Sequence, residues 1–252
     1  SVPLAVLILG ETMQVMEIVA IAIVMLGVFL PNLVERAGFS RFRRRPQLPE
    51  DPALAGLSFV VFDTETTGLQ PSGGDRVVQI AGVRIVDGII REDQIFDELV
   101  QPGRPIPPLA TTFHGITDGR VADKRTIGPV LRDFHAFCGD SVLVAHNAAF
   151  DMKFLELARP DGAPVFSQPV LDTLLLSAVL EPDAKGHDLD ALIERNGVVL
   201  AAADRHTALG DSLATAEVFL ALLALVGDTE TLGQLINLSH KAGHFRRLQK
   251  RY

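Results

Sequence analysis

The stretch from Phe59 to Leu69, FVVFDTETTGL, constrains the fold more than any other part of the chain. An apolar run, Phe59 to Phe62, leads directly into two acids two residues apart, Asp63 and Glu65, and ends in Thr-Thr-Gly. On a β-strand, side chains at i and i+2 stand on one face, so the two carboxylates are neighbours. Two ionised acids so placed are stable only when a cation sits between them; otherwise one takes up a proton. Hard divalent cations such as Mg2+ and Mn2+ prefer carboxylate oxygens. An Asp-x-Glu pair on its own is more often the polar end of a strand entering a turn than a metal site, so the rest of the chain must decide.

The segments that follow alternate in type. Phe59–Thr64, Val77–Val86 and Ile95–Val100 read as strands, QPGRPIPP as a loop, and Leu109–His114 as a short helix. Thr126–Phe137 has helical spacing, Ser141–Ala145 is a short strand, and Phe150–Ala158 is a helix. Asp172 and Asp188 are good N-caps for helices over Thr173–Leu180 and Leu189–Arg195, and Gly197 stops the second. Asp211–Leu225 forms a long helix with an apolar face. Strands in succession, then strands and helices in alternation, predict an α/β fold: a mixed sheet flanked by helices.

The first 45 residues differ in composition. Val15–Val34 is a 20-residue stretch whose strongly polar members are Glu17 and Asn32. A bilayer-spanning helix needs about 20 apolar residues. Arg36, Arg41, Arg43, Arg44 and Arg45 follow, which places the downstream part in the cytoplasm. The alternative is a hydrophobic core helix of a soluble protein. Residues 46–56, PQLPEDPALAG, carry three prolines and read as a linker. The single cysteine, Cys138, excludes an internal disulfide, suits a reducing compartment and reads as inert packing. A formal net charge of −8 argues against a broad electrostatic grip on nucleic acid.

Two further pieces carry acids. AHNAAFD, Ala145 to Asp151, delivers a strand into a turn at His146–Asn147 and puts Asp151 in the first turn of a helix, where a favourable helix-dipole position would also explain it. In RHTALGD, His206 precedes Asp211 by five residues, and Asp211 opens a helix as an N-cap would.

Taken together, FDTETTGL, HNAAFD and HTALGD resemble the three motifs of the DnaQ-like 3′→5′ exonucleases, similar to the proofreading epsilon subunit of bacterial DNA polymerase III. The likeness covers about residues 57–226 and extends to FHGITD, LDTLLLS and LDAL. It implies a ribonuclease H-like fold, with Asp63, Glu65, Asp151 and Asp211 as the metal-binding quartet. It also implies two divalent cations, Mg2+ or Mn2+, and His206 as general base of the histidine subgroup. The sister subgroup has a tyrosine four residues before the last aspartate; here that position is Thr207. The activity implied is hydrolysis of the 3′-terminal phosphodiester of DNA to nucleoside 5′-monophosphates, in proofreading or repair. An exoribonuclease or oligonucleotide-clearing enzyme on the same fold is the alternative. A non-catalytic nucleic-acid-binding module on a membrane protein is the reading from another class.

The resemblance also assigns a substrate pocket. Thr67, Gly68 and Leu69 would lie against the terminal nucleotide, with Gly68 allowing close backbone approach. His114 would reach the sugar, and Phe150 would stack on or wedge beside a base. Asn147 would brace the turn, and Asp172 and Asp190 would be structural. Implied partners are single-stranded 3′ ends, a DNA polymerase subunit and, through Val15–Val34, a membrane. The expected organisation is a membrane segment with its basic flank (1–45), the linker (46–56), the exonuclease domain (57–226), and a C-terminal helix with a basic, solvated tail (227–252). The nuclease would thus be tethered to the inner face of the cell membrane.

Overall fold

The computed structural model describes residues 51–201, 205–227 and 231–252. The membrane segment, its arginine flank and the first part of the linker lie outside the described residues. Among the described residues, no helix is long and apolar enough to cross a membrane.

Five strands form one mixed sheet in the order β3-β2-β1-β4-β5. They are β1 (Ser58–Thr66), β2 (Val77–Val86), β3 (Ile89–Leu99), β4 (Val142–Ala145) and β5 (Val170–Asp172). β1 is antiparallel to β2 and parallel to β4, and its pairing with β2 shifts register between Glu65 and Thr66. The ladder therefore breaks at the acids, where β1 gives way to the Thr-Thr-Gly turn. Alternation along β1 separates two cores. Phe59 and Val61 face one side and Val60 and Phe62 the other. All four are buried.

The helices are α1 (Pro108–His114), α2 (Asp118–Val121), α3 (Ile127–Cys138), α4 (Ala148–Leu157), α5 (Thr173–Leu180), α6 (Leu189–Asn196), α7 (Ala208–Ala224), α8 (Leu232–Ser239) and α9 (Gly243–Gln249). α7 packs on the Phe59 face, where Phe219 meets Phe59 edge to face at 5.1 Å between ring centroids. Small residues at its start let it approach closely, and the Ser212 hydroxyl donates to the Ala81 carbonyl of β2 at 3.2 Å. α3 and α4 cover the opposite face through Val130, Leu131, Phe134 and Phe154. Cys138 is buried there, and burial pushes its thiol up to about 12, consistent with an inert packing role.

The expected α/β sheet with flanking helices is therefore present, and several elements differ from the expectation. β3 begins at Ile89 rather than Ile95, because a charged edge strand shows little apolar alternation. β5 is a three-residue strand that no sequence pattern announced. α7 begins at Ala208, capped by the Thr207 side chain, so Asp211 is a first-turn residue and not the cap. Asp172 and Asp188 do cap α5 and α6, and Gly197 closes α6 in the left-handed conformation.

Residues 51–56, at the end of the expected linker, are anchored. Asp51 accepts hydrogen bonds from the Thr231 hydroxyl and from the Gly233 amide. Ala53 bridges to Thr231, and Leu54 packs on the α7 core.

Candidate active site

The alternation that puts Phe59 and Val61 against α7 continues through Asp63 and Glu65. These two acids thus meet Asp211 in the first turn of α7. Carboxylate oxygens of Asp63, Glu65 and Asp211 lie within 4.8 Å of one another. Thr64 points to the opposite face and donates from its hydroxyl to Oδ1 of Asp151 at 2.6 Å. Asp151 is 2% exposed and stands in the first turn of α4. The structure thus gathers three of the four acids tightly and holds the fourth through the residue between Asp63 and Glu65.

The electrostatics reflect this crowding. Burial, then the charges of Asp151, Glu65 and Asp211, raise Asp63 well above the usual carboxylate range, and Arg205 opposes them. Burial with the charges of Asp211 and Asp151 pushes Glu65 up to about 8. Burial pushes Asp151 up to about 7, against the relief given by Thr64. Such acids hold their negative charge at neutral pH only when a cation joins them. All donors are hard oxygens on one strand and two helices, so the residues fit a Mg2+- or Mn2+-type ion.

His206 adopts a positive φ of 60° and is exposed, with its backbone amide donating to Oδ1 of Asp211 at 3.3 Å. Its ring meets Phe113 edge to face at 6.4 Å between centroids. Phe113 belongs to a cavity of about 400 Å3 that is also lined by Glu65, the Thr66–Leu69 turn, Leu109 and His114. Leu69, Leu109 and Phe113 are 78%, 71% and 63% exposed, an unusual cluster of solvated apolar side chains beside buried acids.

Several expected site residues have structural duties as well. The Thr67 hydroxyl donates to Asp75 and accepts from the Arg76 amide, both at 3.0 Å. A Cβ at Gly68 would displace the Asp75 carboxylate, which ties this turn together, so a glycine here has a structural reason independent of any ligand. His114 is the last residue of α1 and is buried. Its Nδ1 accepts from the Ile116 amide at 3.0 Å, which assigns the proton of the neutral ring to Nε2. Nε2 is buried beside Thr66 without closing a hydrogen bond, and burial lowers the ring's basicity. Phe150 lies between Phe154 and Tyr252, with ring centroids 5.1 and 5.3 Å away.

Asn147 and Asp172 brace the second motif, as their motif positions suggested. Asn147 is left-handed at φ 59°. Asp172 accepts from the amides of Asn147, Ala148 and Leu174 at 2.9–3.0 Å, tying the starts of α4 and α5 to one carboxylate. It also accepts from Gln249 Nε2 at 2.6 Å. The Asn147 side-chain amide donates to the Tyr252 hydroxyl at 3.1 Å. The tail is therefore docked on the second motif through Gln249 and Tyr252, while its basic side chains Lys241, Arg246, Arg247, Lys250 and Arg251 are exposed.

Sequence reasoning missed Arg205. Its guanidinium donates to Asp211 and, through Nε and Nη2, to Oδ1 of Asp190 at 2.9 and 2.6 Å. The available signal was a basic residue directly before His206 in an otherwise acidic constellation.

An α/β sheet whose central strand ends in paired acids, completed by acids from two helices and a nearby histidine, defines the nuclease class to which the motifs pointed. A family profile described as "Exonuclease" matches residues 60–219, and the chain belongs to that family. It is 51% identical over 218 residues to a "DNA polymerase III subunit epsilon-like protein" of Rhodobacter capsulatus, covering 86% of this chain and 30% of that protein. It is 41% identical over 174 residues to a "DNA polymerase III PolC-type" of Streptococcus suis, covering 69% of this chain and 12% of that one. The chain thus spans under a third of the length of these relatives. Among solved structures it resembles exonuclease X in complex with 5′ overhanging duplex DNA. That match has a TM-score of 0.58 and 30% identity, over 72% of this chain and 99% of the other. Exonuclease I shares the fold at a TM-score of 0.57 and 20% identity, over 72% of this chain and 42% of the other.

Proposed function

We propose that this domain removes nucleotides one at a time from the 3′ end of DNA, hydrolysing the terminal phosphodiester and releasing nucleoside 5′-monophosphates. The observation that carries the reading is the convergence of Asp63, Glu65 and Asp211, with Asp151 and His206 alongside, at the edge of the apolar cavity. Asp63, Glu65, Asp151 and Asp211 would hold two divalent cations, Mg2+ or Mn2+. When bound, these ions supply Lewis-acid stabilisation of the attacking and leaving oxygens.

The chain's own residues do the rest. His206 takes one proton from the attacking water. The water oxygen bonds to phosphorus, the bond from phosphorus to the 3′ oxygen breaks, and that oxygen leaves with the electron pair and is protonated from solvent. Leu69, Leu109 and Phe113 offer apolar surface to the terminal base, with Thr67 and Gly68 forming the wall beneath it. His114, in the wall of the same cavity, stands on the sugar side, and Phe150, propped by Phe154 and Tyr252, presses on the neighbouring base.

The biological setting is proposed on the relatives' names and on the sequence. The 51% identical relative is named for the epsilon subunit of DNA polymerase III, which supports proofreading beside a polymerase subunit. Val15–Val34 and the arginines behind it support a tether holding the nuclease at the cytoplasmic face of a membrane. Sedimentation of the full chain with membranes, resistant to high salt, is expected; a soluble full chain without detergent rejects the tether.

The deciding experiment compares 5′-labelled single-stranded DNA, duplex DNA with a mismatched 3′ end, and RNA, with and without a chelator. Stepwise shortening of DNA from the 3′ end, abolished by chelation and by Asp63→Asn, is expected. Faster degradation of RNA would move the domain to the exoribonuclease reading, and undiminished activity of Asp63→Asn would reject the site.

A further inference from the structure

Arg205 is bound to the acidic cluster unequally. Nε and Nη2 both grip Oδ1 of Asp190, while Nη1 alone reaches Oδ1 of Asp211. Asp190 is 72% exposed in its side chain and stands outside the three-acid cluster, whereas Asp211 belongs to it. The guanidinium therefore hangs from an outer acid and extends one donor to an inner one. Its charge also offsets Asp63 and Glu65, beyond the acid it touches. A divalent ion on Asp211 and a guanidinium on the same carboxylate are two cations competing for one acceptor, and in a partly buried site their repulsion is weakly screened.

We propose that Arg205 is a displaceable counter-ion: it neutralises the acidic cluster in the metal-free protein, yields Asp211 to the incoming ion, and pivots on Asp190 as it does so. This rests on the metal-dependent reading of the site given above. Arg205 is thus a positioning residue that sets how tightly the site loads. The ion must break a charge-assisted hydrogen bond to enter, and the displaced cation keeps a partner because Asp190 stays with it. The arrangement spares the metal-free chain three mutually repelling acids and lowers metal affinity in return.

The test measures Mn2+ binding to the metal-free full chain by calorimetry, with thermal stability in parallel. Arg205→Gln should bind Mn2+ more tightly, by about tenfold or more, since one charge-assisted hydrogen bond no longer has to be broken. It should also melt at a lower temperature without metal and recover when Mn2+ is added. Arg205→Lys, which keeps the charge and loses the fork, should fall between the two. Asp190→Asn should weaken Mn2+ binding by stranding the displaced guanidinium, and this effect should vanish in the Arg205→Gln background. A residue that merely held the loop in place would give the opposite sign, because losing it would disorder Asp211 and weaken binding. Equal or weaker Mn2+ binding by Arg205→Gln overturns the proposal. Asp63→Asn is the control: if it binds Mn2+ as well as the wild type, the metal reading fails, and the proposal fails with it.

Discussion

Two groups of acids lie at the same end of the sheet, and they are handled in opposite ways. Asp172, at the end of β5, receives three backbone amides and the Gln249 side chain. Burial raises its pKa, and those hydrogen bonds pull it back. Asp63 and Glu65, at the end of β1, face burial and each other's charge, with Arg205 as the opposing cation. A buried carboxylate supplied with donors is a structural cap, while one supplied with more carboxylates is kept for a ligand. Residue type is shared and Asp172 is the more buried, so it is the partners that tell the two apart.

The sharpest way to break this contrast is to neutralise one acid in each group. Asp63→Asn or Asp211→Asn should lower nuclease turnover on the order of 10^3-fold or more, because several kcal/mol of transition-state stabilisation is at stake. The metal-free melting temperature of Asp63→Asn should hold or rise, since a repulsion has gone, while Asp211→Asn also gives up the ion pair with Arg205. Near-normal turnover would erase the distinction. His206→Ala should lower kcat by about 10^2-fold and leave Mn2+ binding intact. An unchanged rate in the variant would make His206 a bystander.

A third test uses pH alone. Glu65 and Asp151 have folded-state pKa values raised to about 8 and about 7. An acid raised on folding stabilises the fold fully below its unfolded value and loses that contribution as pH rises through its folded value. The metal-free protein should therefore lose thermal stability between about pH 4.5 and 8, measured relative to the same protein saturated with Mg2+. Parallel curves with and without metal would contradict it. Asp172→Asn should cost about 2 kcal/mol of folding stability in denaturant titration, because an amide cannot accept from every amide now bound. Gln249→Ala, removing one donor to the same acid, should cost about 1 kcal/mol. If either variant impaired turnover as severely as Asp63→Asn with the fold intact, Asp172 would belong with the ligands.

Much of the site could be read from the chain because its parts are local. Asp63 and Glu65 follow from strand alternation, Asp151 and Asp211 from helix starts, and each stands in a short string whose order along the chain is informative. The structure brings Asp63, Glu65 and Asp211 within reach of one another, with Asp151 held by Thr64. What escaped is non-local or lacks pattern. Gln249 and Tyr252 reach Asn147 across more than 100 residues, a pairing no spacing announces. Arg205 was adjacent to a singled-out histidine, yet its meaning depends on Asp190 fifteen residues away. Gly68 was explained by a ligand, whereas Asp75 fills the space where its Cβ would go. The first half of β3, with Arg91, Glu92 and Asp93, is an edge strand whose charges mask its periodicity.

β1 is the middle strand of five, zipped to a neighbour on both sides. A middle strand cannot peel away by itself, so the amide hydrogens of Phe59–Val61, which have strand partners on both sides, should exchange with solvent only when the whole domain opens. The turn that carries His206 lies outside the sheet ladder and is fastened by side chains and single contacts, among them the His206 amide on Asp211, the ring edge on Phe113 and the Arg205 guanidinium. Under heat or mild denaturant the general base should come adrift in a sub-global opening while the ligand strand stays in register. Inactivation by brief warming would then be a loop event, reversed on cooling without refolding the sheet.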